Sequence, residues 1–519
     1  MAQRSLRVVI FTAVFACACH FEHHHHGDGD GADAGTGAGT DAGAVPDAGH
    51  DPTACDPPAL AFEHATVLAM SLGSVPQPDT TVIVRGDRVV WIGRAAQAPL
   101  PPNTTRIDAT GRWLMPALVD AHVHVENPRM MRLILQDPAI DERAIADADI
   151  LLPYVAHGVL QIGNLGAMSE AIGQRRAVET GEVLGPHMML AAMVDGSPPL
   201  WPVGFTRVAA TPDAGRQVVR DELAEGYDMV KVYSNLSLDT FTAIVDEARQ
   251  RGVKVVGHIP GRGTPIDPYF QPGYTMVAHA EEFAFRAADS SDAEVARMVA
   301  LARANGTGLM TTLTVDQRIL EQTVDPTTLH TRPEVRFVHP VSRRFWYEGN
   351  PYVGRNSPER IAQLQQIIAF NDKLVRAFVA AGLPVLAGTD SLVPGVVAGS
   401  ALHDELAALV AAGLTPYQAL DAATRAPATW IGVADDRGTL EVGKRADLLL
   451  LDASPLADIT STQRIAGVVA SGRWLPRAEL DAKLAALATR YDLAALDPAH
   501  AAATSAQPVE LEQVFGGEP

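Results

Sequence analysis

The stretch "LMPALVDAHVHVENP" at residues 114–128 carries two histidines, His122 and His124, at the end of an apolar run. On an extended strand residues i and i+2 face the same side, so the two imidazoles can point together. Two converging imidazoles can hold a divalent metal ion. The pair alone is also compatible with buried histidines that bond to the backbone, so both interpretations stay open at this point.

Four later apolar runs also carry side chains that could do chemistry. They are Lys231 within "YDMVKVY", His258 closing "VKVVGH", His279 closing "TMVAH" and Asp390 closing "VLAGTD". Each has a structural alternative when taken alone: a paired lysine, a structural histidine or a helix-capping aspartate. An isolated buried ammonium is costly, which makes Lys231 a candidate nucleophile, base or CO2-modified ligand. At successive strand ends of one barrel, the whole set would form a ligand sphere for two hydrolytic metal ions.

The elements that must position these residues lie between about 114 and 435. Short apolar runs alternate there with amphipathic helical segments, a pattern typical of parallel βα units. The candidate strands are "ALVDAHVHV", "GVLQIGN", "HMMLAAMV", "YDMVKVY", "VKVVGHI", "TMVAHAE", "GLMTTLTV" and "LPVLAGTD". They predict an α/β fold, a (β/α)8 TIM barrel over 114–435, whose active site gathers at the C-terminal strand ends.

Two strand-rich clusters bracket this middle region. Segments 59–113 and 436–476 are rich in Val, Ile and Thr and are punctuated by turn residues, with "RGD" as a hairpin signal. We predict one small composite β-sandwich formed from both ends of the chain, followed by a C-terminal helix and tail at 477–519. The segment 316–357 is too long for a plain βα loop and is a candidate lid or substrate wall.

The N-terminus is typical of an exported protein. Arg4 and Arg7 precede an apolar run over residues 8–16, which predicts a signal within 1–19 and is too short for a membrane span. Cys17 or Cys19 would become the lipidated first residue of a bacterial lipoprotein, with an ordinary cleaved signal as the alternative. We therefore expect export to the periplasm or cell envelope, with lipid anchoring in a bacterial membrane.

Residues 20–58 form a tract rich in Gly, Ala, Asp and His that predicts a disordered linker. Its histidines at 23–26 could bind a transition metal, but a solvated spacer is the favoured interpretation because a flexible segment supplies no fixed geometry. Cys55 alone remains for the mature body, so no disulfide framework is expected. The formal net charge of −20 argues against a nucleic-acid partner.

These motifs together resemble the metal-dependent amidohydrolase superfamily. The resemblance covers about 60–475 and includes "LMPALVDAHVHV", the strand lysine, "GH", "AH", "AGTD" and "LHDELAALVAAGLTPYQALDAATRAPATWIGVADDRGTLEVGKRADLLLLDASPLADI". It implies a (β/α)8 barrel with a flanking β-sandwich and a metal-dependent hydrolase acting on carbon–nitrogen bonds. Two divalent ions are implied, Zn2+ first, with Mn2+ or Co2+ also allowed.

The resemblance also implies a role for each residue. His122 and His124 would bind the more buried ion with Asp390, while His258 and His279 would hold the second. Lys231, carboxylated by CO2, would bridge the two ions as a carbamate, together with a hydroxide. Asp390 would take the proton of that hydroxide and pass it to the leaving nitrogen.

The region from "GYDMVKVYSNLS" to "HAEEF" most resembles the branch of Xaa-Pro dipeptidase-like and imidazolonepropionase-related enzymes. Tyr233 shares a strand face with Lys231, where its hydroxyl could bind a substrate carboxylate or the oxygen of the intermediate; a tyrosine satisfied by a neighbour is the alternative. Glu281 is predicted to support a ligand or face the substrate. His403 and Glu405 are predicted to be structural.

The expected substrate is a small amide, of the dipeptide or N-acyl amino acid type. A mononuclear deaminase or cyclic-amide hydrolase of the same superfamily is the alternative, although Lys231 counts against a deaminase. A non-catalytic metal-binding lipoprotein is the remote third. A homo-oligomer is allowed by the sequence but not indicated by it.

Overall fold

The computed structural model describes residues 58–141 and 145–492. The predicted signal, both early cysteines, the histidine run, Cys55 and the end of the C-terminal tail lie outside them. The strands are β1 (Ala59–Val67), β2 (Gln77–Arg85), β3 (Arg88–Arg94), β4 (Thr105–Asp108), β5 (Trp113–Pro116), β6 (Leu118–Val123), β7 (Val159–Asn164), β8 (His187–Asp195), β9 (Thr206–Val208), β10 (Met229–Val232), β11 (Lys254–Gly257), β12 (Tyr274–Ala278), β13 (Gly308–Met310), β14 (Val385–Leu386), β15 (Leu448–Leu451), β16 (Ile465–Ala470) and β17 (Arg473–Pro476).

Helices follow most strands of the middle region. They are α1 (Pro128–Ile134), α2 (Asp147–Ala156), α3 (Glu170–Glu179), α4 (Pro212–Glu225), α5 (Leu238–Gln250), α6 (Glu281–Ala284), α7 (Asp292–Asn305), α8 (Leu313–Val324), α9 (Thr328–Thr331), α10 (Pro340–Glu348), α11 (Pro358–Ala380), α12 (Ser400–Ala411), α13 (Pro416–Ala422), α14 (Arg425–Ile431) and α15 (Arg477–Arg490). Among the described residues, no helix is both long enough and apolar enough to cross a membrane.

The predicted TIM barrel is confirmed. Strands β6, β7, β8 and β10 to β14 pair in that order as parallel neighbours, and β9 adds to β8. The last and first strand regions meet through the parallel bridge Val123–Ser391 and the bond from the Ala121 N–H to the Ala387 carbonyl, 2.9 Å long. Each candidate strand from the sequence overlaps one of these strands, although β8 ends one residue after its candidate segment and β12 begins one residue before its own.

The barrel strands are continuous apolar runs in the sequence because both of their faces are buried. Every residue of β8 is buried, as expected for a parallel strand covered on both faces. The surrounding helices are amphipathic: in α5, Phe241, Ile244 and Ala248 are buried at helical spacing. Ser237 caps this helix, its hydroxyl accepting from the Thr240 N–H. The helices therefore pack against the barrel strands and hold the strand ends in place.

Strands from both ends of the chain form one further sheet, in the order β17-β16-β15-β5-β1-β2-β3, with β4 beside β1. The C-terminal β15 pairs antiparallel with the N-terminal β5, and the predicted "RGD" hairpin joins β2 to β3. Phe62 on β1 meets Trp474 on β17 edge-on, with ring centroids 5.2 Å apart, so the sheet curls around a shared core. The composite β domain is thus confirmed as a separate layer beside the barrel.

The excursion at 316–357 is largely helical. It contains most of α8, then α9 and α10, and it returns to the barrel through α11. Its Pro and Thr residues begin or cap short helices; Pro340, for example, opens α10 behind His339.

Candidate active site

The predicted site residues come together at the C-terminal ends of the barrel strands. His122 lies in β6 and His124 directly follows that strand, while Lys231 lies in β10 with Tyr233 just after it. The remaining members follow their strands directly or within a few residues: His258 after β11, His279 after β12 and Asp390 after β14. These ends lie at one mouth of the barrel because the strands are parallel.

The tightest group is formed by His122, His124 and Asp390, whose candidate ligand atoms all lie within 4.8 Å of one another. Asp390 Oδ1 is 3.3 Å from His122 Nε2 and 3.1 Å from His124 Nε2. No group of the described chain forms a hydrogen bond with Nδ1 of either imidazole.

Lys231 points its amine into the same group. Its Nζ lies 3.0 Å from His122 Nε2 and 3.5 Å from His124 Nε2, and the side chain is fully buried. Burial lowers the pKa of this amine to about 8, although the charge of Asp390 acts in the opposite direction. The neutral amine is therefore far more accessible near neutral pH than in an exposed lysine, whose pKa is near 10.5.

His258 and His279 complete the mouth, with ring centroids 4.8 Å apart. Nδ1 of His258 lies 2.7 Å from Glu282 Oε1 and 3.1 Å from the Ser234 hydroxyl, which leaves Nε2 as the nitrogen for a ligand. Nδ1 of His279 lies 3.0 Å from the Thr312 hydroxyl. A carboxylate beside a histidine is a frequent way to orient a metal ligand.

Electrostatics favour the neutral form of the His122 and His279 imidazoles. Burial first, and then the charge of Lys231, lower the pKa of His122 well below its usual value; burial lowers that of His279 to about 3. Burial acts to raise the pKa of Asp390, but its interactions with the rings of His122, His279 and His124 outweigh burial and hold that pKa well below its ordinary range. Neutral imidazole nitrogens around a carboxylate are donors for a divalent cation, so these residues fit one.

Four non-glycine residues at the mouth have positive φ, a strained conformation outside glycine. They are His279 (φ 73°), Thr312 (φ 49°), Asp390 (φ 55°) and Leu392 (φ 96°). Glu405 holds the region around Thr312, because its carboxylate accepts from the Leu313 and Thr314 N–H groups at 3.0 and 2.7 Å.

Asp120 holds the chain immediately before Asp390. Its carboxylate accepts from the N–H of Thr389 at 3.0 Å and from the hydroxyl of the same residue at 2.7 Å. Burial raises the pKa of Asp120 to about 8.

Both ring nitrogens of His403 have hydrogen-bond partners. Nδ1 lies 2.9 Å from the Thr462 hydroxyl and Nε2 lies 3.0 Å from the His157 carbonyl.

Tyr233 is held by a residue that the sequence did not indicate. Its hydroxyl accepts from Trp201 Nε1 at 2.9 Å, and its ring lies over His258 at 4.0 Å. The loop carrying Trp201 is fixed by Asp195, which ends β8 and accepts from the N–H groups of Leu200 and Asn235 at 2.9 and 2.7 Å. An aspartate directly after an apolar strand was the available signal for Asp195.

The two glutamates after His279, Glu281 and Glu282, make different contacts. Glu282 is the buried partner of His258 and also accepts from the Ile259 N–H at 3.1 Å. Glu281 lines the pocket above the site, 3.7 Å from His279 Nδ1.

Two glycines allow the histidines to approach the strands. A Cβ on Gly166 would lie 2.4 Å from His124 Nδ1, and a Cβ on Gly388 would lie 2.8 Å from His122 Cβ. Both contacts are closer than real Cβ atoms tolerate, so these positions must lack a side chain for the imidazoles to sit where they do.

A pocket of about 1100 Å³ opens above the cluster. Lys231, Tyr233, His258, His279 and Asp390 lie in its lining. Helices α1, α8, α10 and α11 each supply lining residues, so the excursion contributes directly to the pocket.

Fold and site together define a barrel enzyme with a donor set for divalent metal ions at its catalytic mouth. The sequence model of the Amidohydrolase family matches residues 113–475, and the chain therefore belongs to that family. This membership classes it as a hydrolase of carbon–nitrogen bonds.

Individual relatives are more distant or match over short stretches. An imidazolonepropionase of Streptomyces coelicolor (strain ATCC BAA-471 / A3(2) / M145) is 49% identical over 47 residues, which is 9% of this chain and 12% of that relative's length. A solved Xaa-Pro dipeptidase with bound methionine in the active site is 18% identical, with a TM-score of 0.62 over 80% of this chain and all of the other. A bottromycin amidohydrolase is 23% identical, with a TM-score of 0.63 over 84% and 93% of the two chains. The two structures share the fold.

Proposed function

We propose that the protein is an exported, binuclear metal-dependent amidohydrolase that cleaves an amide or peptide bond of a small substrate, of the dipeptide or N-acyl amino acid type. The observation that carries the proposal is the convergence of His122, His124 and Asp390 within 4.8 Å at the barrel mouth. The structural likeness to a Xaa-Pro dipeptidase and a bottromycin amidohydrolase supports an amide substrate.

His122, His124 and Asp390 would hold one ion, and His258 with His279 would hold the second. Lys231 would bridge them as a carbamate, because a neutral amine is the form that reacts with CO2 and carboxylation turns a buried cation into an anionic ligand. Bound Zn2+, or Mn2+ or Co2+, would supply an acidified water and polarise the substrate carbonyl.

The chain's own groups carry the proton and orient the substrate. Asp390, whose Oδ1 lies 3.3 and 3.1 Å from Nε2 of His122 and of His124, would accept a proton from the attacking water and return it to the leaving nitrogen. The indole of Trp201 can only donate, so the Tyr233 oxygen accepts in that bond, which holds the hydroxyl in place beside the cluster. We assign this hydroxyl to the substrate carboxylate or to the oxygen that becomes negative during attack.

A metal count on purified protein tests the assignment. We expect about two ions per chain, and loss of metal in Lys231→Ala. About one ion per chain would favour the mononuclear deaminase alternative instead. Carbon-13-labelled bicarbonate should give a carbamate signal by NMR that is absent from Lys231→Ala.

Hydrolysis is tested separately, with Zn2+-loaded enzyme and a panel of dipeptides and N-acyl amino acids. Release of free amine from at least one of them is the expected result; ammonia release from a purine or pyrimidine alone would contradict the amide assignment.

Export and lipid anchoring are tested by fractionating cells that produce the full chain. Membrane-associated protein that becomes soluble in Cys17→Ser or Cys19→Ser supports the anchor, and cytoplasmic protein would contradict export.

A further inference from the structure

The pocket has two chemically different sides. Its charged side chains outside the metal-binding cluster, Glu281, Asp316 and Arg360, come from α6, α8 and α11. The side built by α1, the loop after β8 and α10 is different, and its main residues, which we call the apolar wall, are Met130, Met131, Ile134, Trp201, Phe205 and Phe345. Within the described lining, none of the residues from these three elements is charged.

The apolar wall is continuous and begins beside the metal-binding cluster. Its members pack in one hydrophobic cluster, with Trp201 and Phe205 in edge-on contact at 5.7 Å. Phe205 in turn lies edge-on to His124 at 6.4 Å. A group attached next to the scissile bond would therefore reach this wall directly.

The composition of the wall suits a bulky apolar group. Methionine side chains are flexible and polarisable, so they adapt to ligands of varied shape. Aromatic rings offer large apolar area with little conformational freedom to lose. Moving apolar surface from water onto such a wall is favourable roughly in proportion to its area.

We propose that the substrate carries a bulky apolar acyl or side-chain group that the apolar wall takes up, while the charged side of the pocket receives the polar part. This inference rests on the proposed amide hydrolysis at the same site. It narrows the substrate class from small amides in general to amphipathic ones.

A chain-length series measures the effect. With the metal-loaded full chain, kcat/KM for N-acyl derivatives of one amino acid should rise about fourfold per added methylene from acetyl towards octanoyl, until the wall is covered. Equal kcat/KM across the series would overturn the inference.

Variants locate the effect on the wall. In Phe345→Ala, and separately in Met130→Gln, the ratio of octanoyl to acetyl kcat/KM should fall at least about tenfold. This ratio is insensitive to the folded fraction, because both substrates see the same enzyme. Val353→Ala is the matched control: Val353 follows α10, is 46% exposed and lies outside the pocket lining, so the ratio should stay unchanged.

Binding separates the two proposals. N-alkylsulfonyl amino acids replace the scissile amide by a sulfonamide, so their affinity for the holoenzyme can be measured by calorimetry without turnover. Affinity that rises with chain length while no N-acyl amino acid is cleaved would keep the apolar wall and reject the reaction. Acetyl and octanoyl substrates that are cleaved and bound equally would keep the reaction and reject the apolar wall.

Discussion

Buried histidines at the two ends of the same barrel differ in what their ring nitrogens contact. At the start of β8, His187 gives both nitrogens to carboxylates, with Nδ1 2.9 Å from Glu179 Oε1 and Nε2 3.3 Å from Asp447 Oδ2. At the opposite strand ends, His122 and His124 turn Nε2 towards Asp390, and in the described part of the chain their Nδ1 atoms have no hydrogen-bond partner.

The protonation of the two groups differs accordingly. Burial acts to lower the pKa of His187, but its bonds to Asp447 and Glu179 outweigh burial and raise that pKa. Burial lowers the pKa of His122 and of His124, and the charge of Lys231 adds to it. At one end the contacts favour the protonated form of an imidazole that links the barrel to the composite sheet, and at the other end burial favours neutral imidazoles whose nitrogens can act as ligands.

The largest effect on turnover should come from neutralising the carboxylate of Asp390 at the barrel mouth. Asp390→Asn keeps an oxygen donor but cannot accept the proton, so kcat should fall about 10³-fold while most of the metal stays bound. Turnover and metal content measured on the same preparation check this. Full activity in the variant would falsify the role of Asp390.

A smaller effect should follow from displacing one imidazole without changing a ligand. In Gly166→Ala the new methyl group would lie 2.4 Å from His124 Nδ1, so the ring must move. We expect kcat/KM to fall about 10²-fold, as a displacement of about 1 Å at a catalytic centre can cause.

Gly173→Ala is the matched control for this substitution. Gly173 lies in α3, a Cβ there would meet no atom within 4 Å, and alanine favours a helix interior. Its activity should equal that of the wild type. Equal losses in the two variants would show that the contact with His124 is not the cause.

The proposed second metal position, at His258 and His279, can be tested through Glu282. Glu282→Gln removes the charge that holds His258 Nδ1, so metal affinity should fall about 10- to 100-fold, measured by competition with a chelator. Glu294→Gln makes the same change in a carboxylate that bonds Arg297 on α7, and it should leave affinity unchanged. Similar loss in both variants would exclude a specific role for Glu282.

Much of this architecture can be read from the sequence because it depends on local patterns. Apolar runs with polar ends predict both the barrel strands and the residues that face its mouth, as for His258 and Asp390. The composite sheet is predictable for the same reason, since the strand pattern of "RGDRVV" and of "ADLLLL" is local.

The supporting contacts are not local, and the sequence could not assign them. Glu281 and Glu282 are neighbours, and only the start of α6 decides which one turns to His258. Glu405 reaches the region of Thr312 from a helix some 90 positions away in sequence. The requirement for Gly166 depends on His124 from another strand, which no pattern within either segment records.

The contacts of His187 at the start of β8 predict a pH-dependent difference in the free energy of unfolding between the wild type and a His187 variant. His187→Gln removes a buried charged link, and near pH 6 it should destabilise the metal-loaded protein by about 2 kcal/mol. Because the folded pKa of His187 is raised above its usual 6.5, its contribution is fully present below about pH 6.5 and is lost as pH rises through the folded value. Urea unfolding of both proteins at pH 6 and pH 9 measures the difference, which should shrink at the higher pH.

The two carboxylates that contact His187 titrate at acidic pH instead. Glu179 and Asp447 have lowered pKa values, so their contribution to stability is lost only at pH values below their usual 4.5 and 3.8. A difference independent of pH between 6 and 9 would mean that His187 is neutral in the fold, like the histidines at the barrel mouth.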